Sequence, residues 1–221
     1  MRYLYLHGFA SSPQSRKAQF MQAKMATVGR SLLIPDLNQN DFTHLTLTRQ
    51  LQQVASAWDA AEPVTIIGSS FGGLTAAWLA ERHTVVQRLV LLAPAFRFLD
   101  HWLPRLGDAQ VRQWQQTGQL SVYHYSAGAM LPLHYGFVED AGHYDEATLQ
   151  RSLPTLILHG RSDAVIPLAS SRAYAAARPW VTLQELDSDH ALTDVQEHIW
   201  QAIQQFCPEL KSVQYGAKQE A

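Results

Sequence analysis

A single cysteine, Cys207, stands in the whole chain. It has no partner for an internal disulfide. Its place near the end of an apolar-periodic segment, with no cation beside it, marks a buried structural thiol rather than a reactive one. Charge is also sparse: 16% of residues are charged, the formal net charge is -2, and no block of Lys or Arg occurs. That leaves no electrostatic footprint for nucleic acid or for an anionic membrane surface. No run approaches the roughly 18 apolar residues of a membrane span, so stable membrane association is not expected. The stretch from Met1 to His7 has one Arg and a short apolar run that enters a Gly turn, too short for a secretory leader and without a cleavage-like site. A cytoplasmic protein is the expectation. Metal-binding spacings are missing as well. The ten histidines form neither H-x-H nor H-E-x-x-H, and Glu139 with His143 on one helix face are only two ligands. No metal and no cofactor are expected.

What the chain does have is apolar residues, 47% of its 221, enough for one well-buried core and few for two. The expectation is one domain over residues 1–207, with an insertion at about 97–152 and a polar tail at 208–221. Short apolar runs bounded by Gly, Pro or Asp alternate with helical stretches, the pattern of a parallel sheet covered on both faces. The strand candidates are Tyr3–His7, Ser31–Pro35, Val64–Gly68, Leu89–Ala93, Thr155–His159 and Thr182–Leu186. Ser12-Pro13 signals a helix running to about Val28 and stopping at Gly29. Over Thr43–Trp58, Leu47, Leu51, Val54, Ala55 and Trp58 fall on one helical face. Further helices are predicted at Gly73–Arg82, Leu168–Arg178 and Leu192–Phe206.

Gly68-Ser69-Ser70-Phe71-Gly72 is a G-x-S-x-G sequence directly after an apolar run and directly before a helical one. A turn this sharp strains the backbone of the central Ser and leaves no room for bulk on either side, hence the two glycines. It also sets the Ser70 hydroxyl at a helix N-terminus, where negative charge is favoured. By composition alone the pattern arises in about one chain in ten of this length, so the strand-turn-helix setting carries the argument. Neither the Lys of a P-loop nor a G-x-G-x-x-G spacing is present.

A serine hydroxyl needs a general base and a group that orients the base. Asp163, in the turn Gly160-Arg161-Ser162-Asp163, and His190, in Asp187-Ser188-Asp189-His190, follow successive strand candidates in the order Ser, Asp, His. All three then emerge at the carboxyl ends of strands, where open α/β sheets bind ligands. Asp187 and Asp189 are rival acids, but they are poorly placed to fold back onto the ring of a neighbouring residue. The turn His7-Gly8-Phe9 after the first strand predicts backbone N–H groups of Phe9 and Phe71 as an oxyanion hole, a contribution of about 3 kcal/mol per donor. His7 is expected to support that loop by hydrogen bonding.

His7-Gly8, the elbow at 68–72, the Asp163 turn and His190 together resemble the α/β-hydrolase superfamily along nearly the whole chain. The start Tyr3-Leu4-Tyr5-Leu6-His7-Gly8-Phe9, with Ser11-Ser12-Pro13 and Lys17, is similar to small bacterial esterases and thioesterases within it. Asp187-Ser188-Asp189-His190 is similar to related acyl-thioesterases. The resemblance implies an α/β-hydrolase fold: a mostly parallel sheet of about six strands flanked by helices, with a lid insertion. It also implies a cofactor-independent serine hydrolase acting on small acyl esters or thioesters. A hydrolase-fold lyase or C–C hydrolase with the same triad, and a non-catalytic small-molecule receptor, are the competing readings.

Phe96–Ser152 is much longer than an ordinary connection. Asp108 is placed to cap a helix carrying Val111 and Trp114 and ending at Gly118, Leu120–Tyr125 is strand-like, and Tyr135–Tyr144 is helical in pattern. Its Trp102, Leu103, Trp114, Tyr123, Tyr125, Met130, Leu131 and Phe137 form either an apolar lid over the strand ends or a small core of the insertion's own. On the lid reading, Trp102, Met130 and Leu131 contact substrate.

Overall fold

The computed structural model describes residues 1–57 and 62–211. In chain order it begins β1 (Arg2–Leu6), α1 (Arg16–Thr27), α2 (Leu47–Ser56), β2 (Val64–Ser69), α3 (Phe71–Arg82) and β3 (Val86–Leu92). The insertion supplies α4 (Phe98–Leu106), α5 (Asp108–Thr117), β4 (Gln119–His124), β5 (Ala129–His134) and α6 (Gly136–Gly142). The chain then continues through β6 (Thr155–Gly160), α7 (Leu168–Ala176), β7 (Val181–Leu186) and α8 (Gln196–Phe206).

Five strands make one parallel sheet in the order β1-β2-β3-β6-β7. Side chains of a strand alternate between faces, and both faces are covered here. Leu4, Leu6, Ile66, Leu89, Leu91 and Ile157 pack toward α2 and α3. Tyr3, Tyr5, Ile67, Val90, Leu92, Leu156 and Leu158 pack toward Met21 and Met25 of α1 and Ile199, Trp200 and Ile203 of α8. Burial of each large apolar side chain stabilises the fold by about 1.5–3 kcal/mol, so the uninterrupted apolar runs specify this two-sided sheet.

Several boundaries differ from expectation for local reasons. Ser31–Pro35 is not a strand: Leu33 alone bridges Leu4, exchanging bonds with the Tyr3 carbonyl and the Tyr5 amide. Pro35 has no N–H with which to continue the ladder. The first helix starts later than Ser12-Pro13, because Ser15 is the residue whose hydroxyl accepts the Ala18 N–H. Thr46 likewise caps α2 by accepting from Arg49, and Trp58, at the end of that expected helix, lies outside the described residues. The last helix opens at Gln196 rather than Leu192, whose φ of 53° is incompatible with a helical turn. The expected polar tail begins with a 3-10 turn, Pro208–Leu210, with Leu210 fully buried; Glu209 accepts from Tyr3 Oη and Arg88 Nη1, and residues 212–221 lie outside the described residues.

Within the insertion, α5 and β4 lie where the sequence placed them, although Asp108 is the first helical residue and Gly107 occupies the cap position. α4 and β5 are not among the expected elements, and each contains a proline, Pro104 and Pro132. Among the described residues β5 pairs only with β4, so Pro132 has an open edge on which its missing donor costs no sheet bond. The insertion does not bury its apolar side chains in a separate small core: Trp114 and Phe137 are buried in the main core, whereas Tyr123, Tyr125 and Met130 are exposed.

Candidate active site

Because the sheet is parallel, the segments after β1, β2, β6 and β7 all leave by one edge, and they carry Phe9, Ser70, Asp163 and His190 respectively. Ser70 joins β2 to α3 with φ 53° and ψ −119°, a conformation costing about 1–3 kcal/mol that surrounding structure must hold. It is held from both sides: Ser70 N–H donates to Leu92 O at 2.9 Å, and Ser70 O accepts from Gly73 and Ala95 at 2.8 and 3.0 Å. The flanking glycines are required by contact. A Cβ on Gly68 would stand 2.5 Å from Gly72 O, and one on Gly72 would stand 2.2 Å from Leu6 O.

Ser70 Oγ lies 3.0 Å from His190 Nε2, and His190 Nδ1 lies 2.7 Å from Asp163 Oδ2. An ionised carboxylate only accepts, so Nδ1 carries the proton toward Asp163 and Nε2 is left to accept from the serine. Asp163 Oδ1 takes the amides of Val165 and Ile166, each at 2.8 Å. Burial works to raise the Asp163 carboxyl, but hydrogen bonds from His159 and His190 and that of Ile166 outweigh it and hold the group far below the usual carboxylate range. The rival acids are elsewhere: Asp189 Oδ1 accepts the amides of Ala191 and Leu192 in its own turn, and Asp187 is exposed.

The first loop abuts the serine. A Cβ on Gly8 would lie 3.3 Å from Ser70 Cβ and 3.8 Å from Ser70 Oγ. His7 stiffens this loop, with Nδ1 donating to Gly8 O and Nε2 accepting from Leu37 N–H, both at 3.0 Å. Among the described residues, neither the Phe9 nor the Phe71 amide is used in a backbone hydrogen bond outside regular elements. The Phe71 amide is one of the orphan donors of a helix first turn. The Phe9 ring sits among Phe42, Phe71, Phe98, Trp102 and Phe137, with centroids 5.2 to 6.3 Å away. The insertion is fastened to the same loop by the bond from Tyr125 N–H to Ala10 O, 2.9 Å.

Of the residues expected to contact substrate, Trp102 lies against Phe9, Leu131 packs partly buried on the core, and Met130 is 55% exposed. A cavity of about 410 Å³ opens beside Phe71, between Leu74, Trp78, Phe98, Tyr144 and Glu146. Burial raises the Glu146 carboxyl to about 7, partly opposed by the Arg97 amide it accepts.

Sequence reasoning passed over three contributors. His159, wholly buried, reaches Asp163 Oδ2 at 3.0 Å. Gly160 has backbone contact with the His190 loop, since a Cβ there would stand 2.4 Å from Ser188 O. The only signal for either was a His-Gly pair ending an apolar run. Lys17 entered only through the resemblance; burial lowers its amine to about 8, against the pull of Asp163 and Asp189. Among the described residues, no three of His, Cys, Asp and Glu gather as a metal site, and no helix is long and apolar enough to cross a membrane.

The fold is that of the α/β-hydrolase superfamily. Alpha/beta hydrolase domain-containing protein 10 from mouse is similar over 95% of this chain and 90% of its own, with a TM-score of 0.77 and 20% identity. The ferulic acid-bound Est1E from Butyrivibrio proteoclasticus matches with a TM-score of 0.77 and 19% identity, over 95% and 89% of the two chains. A meta-cleavage product hydrolase from Pseudomonas fluorescens IP01 matches at 0.62 and 17%, over 96% and 92%. The chain belongs to the uncharacterised protein family UPF0227, whose model matches residues 2–207. No curated protein is significantly similar to it in sequence.

Proposed function

We propose that this protein is a serine hydrolase that cleaves small carboxylic esters or thioesters through an acyl-enzyme on Ser70. The observation that carries the reading is the unbroken line from Ser70 Oγ to His190 Nε2, 3.0 Å, and from His190 Nδ1 to Asp163 Oδ2, 2.7 Å. His190 takes the Ser70 proton as Oγ attacks the acyl carbonyl, and Asp163 stabilises the imidazolium that forms. The oxyanion is bound by the N–H groups of Phe9 and Phe71. His190 then protonates the departing alcohol or thiol, and in a second round it activates water to release the acid. No cofactor enters this cycle. Trp102, tilted against Phe9, supports an apolar wall for the acyl or leaving group. Met130 has no such support on its exposed strand.

Labelling with a fluorophosphonate, mapped by mass spectrometry and competed with esters and thioesters of graded length, tests this. Modification at Ser70 in the native protein, abolished in Ser70→Ala and in His190→Ala, is the expected result. Labelled Ser70 without turnover of any ester or thioester would favour a C–C hydrolase or lyase. An unlabelled Ser70 would favour a receptor.

A further inference from the structure

The Asp163 carboxylate has two imidazoles on one oxygen. His190 reaches Oδ2 from the exposed side at 2.7 Å and His159 reaches it from the core at 3.0 Å. His159 belongs to β6, has no exposed surface, and is fixed at three points. Its Nε2 lies 3.0 Å from Asp163 Oδ2 and 3.0 Å from Ile166 O, while Nδ1 lies 2.8 Å from Ser171 Oγ. Both neighbours of Nε2 are acceptors, so Nε2 carries the proton and shares it between them. Nδ1 then accepts the Ser171 hydroxyl proton, and a neutral ring satisfies every partner.

We infer that His159 is a positioning residue for the acid–base pair: it holds the rotation of the Asp163 carboxylate and takes up part of the charge that His190 would otherwise meet. The inference rests on the reading of Ser70, His190 and Asp163 as the acyl-transfer machinery. Its physical content is that donors to a carboxylate make it less basic. Four donors meet Asp163: the Val165 and Ile166 amides, His190 and His159. Removing His159 leaves a more basic carboxylate with one fewer restraint. The His190 imidazolium is then better stabilised, so the acid limb of kcat/KM moves to higher pH, and the looser ring lowers kcat. A ring that merely filled the core would affect stability alone.

His159→Leu and His159→Gln separate these roles, because Gln keeps a side-chain N–H donor and Leu keeps only bulk. Two other charged groups that act on this region, Lys17 from α1 and Asp189 from the His190 loop, are unchanged in both variants. For His159→Leu we expect kcat to fall about tenfold, within the range seen for outer partners of positioned histidines, with KM altered less than about twofold. Its acid limb should rise by about half a pH unit, and the downfield proton resonance of His190 Nδ1–H should move. His159→Gln should recover most of both changes. A folded His159→Leu with the native kcat and pH profile overturns the proposal, as do Leu and Gln variants equally impaired with unmoved limbs. Should His159→Leu fail to fold, Ser171→Ala carries the test, with a smaller shift of the limb in the same direction expected and an unmoved limb overturning it. The proton resonance reads the His190–Asp163 pair without turnover, so a failure of the hydrolase reading at Ser70 is distinguishable from a failure of this one.

Discussion

Gly160 and Ser188 meet backbone to backbone: a Cβ placed on Gly160 would stand 2.4 Å from the Ser188 carbonyl oxygen and 2.5 Å from that of Asp189. The contact joins the Asp163 turn to the His190 loop, and Ser162 N–H to Ser188 O at 3.0 Å reinforces it. The distance from acid to base is therefore set by a residue with no side chain. Gly160→Ala should push the loops apart, lower Tm by several degrees through a clash costing about 1–3 kcal/mol, and cut kcat by at least about tenfold. Thermal melts and aryl ester kinetics on the same preparation check both.

Asp163 and Asp189 are told apart by substitution. Asp163→Asn keeps the shape but removes the charge and favours the wrong His190 tautomer, so kcat should fall by about 10³–10⁴. Asp189→Asn should change kcat less than about threefold, since the Asn side-chain oxygen can still accept the two amides that Asp189 now holds. Equal losses would place the acid wrongly.

At Gly8, the added methyl of Gly8→Ala would lie 3.3 Å from Ser70 Cβ and 3.4 Å from Ser69 O. Those distances call for a small displacement of the loop that carries Phe9. A drop in kcat of about tenfold, part of the 10²–10³ lost when an oxyanion donor is deleted outright, should accompany a nearly unchanged Tm. Normal turnover in Gly8→Ala would mean that the loop does not hold the oxyanion.

Much of this was legible in advance, and the misses have physical causes. The elbow could be read because Gly68 and Gly72 are demanded by backbone contacts that no other residue survives. The strands after it could be read because both faces of the sheet are buried, which leaves continuous apolar runs. A proline reads differently by context: two residues after Leu33, Pro35 ends pairing, whereas Pro132 in β5 rests on an open edge and Pro104 in α4 lies near the end of the helix. His159 was illegible because its role depends on a contact with a carboxylate from the following turn, which no periodicity encodes.

Glu146 offers a test of stability rather than catalysis. Its carboxyl is raised to about 7 from an unfolded value near 4.3, so the folded chain keeps this proton while the unfolded chain has lost it. Stability contributed here is therefore full below about pH 4 and declines as pH rises through about 7. Glu146→Gln retains an oxygen for the Arg97 amide and removes the decline. Relative to the native chain it should gain about 1 kcal/mol between pH 5 and pH 8.5, a figure reduced for the partial exposure of the group. Melts at the two pH values should show about 2–4 °C of divergence, and parallel curves would refute the assignment.

The bond from Tyr125 N–H to Ala10 O ties the outer hairpin to the residue that follows Phe9. Any displacement of that hairpin pulls on the backbone one residue from the amide proposed to bind the oxyanion, so the insertion and the proposed site are mechanically one unit.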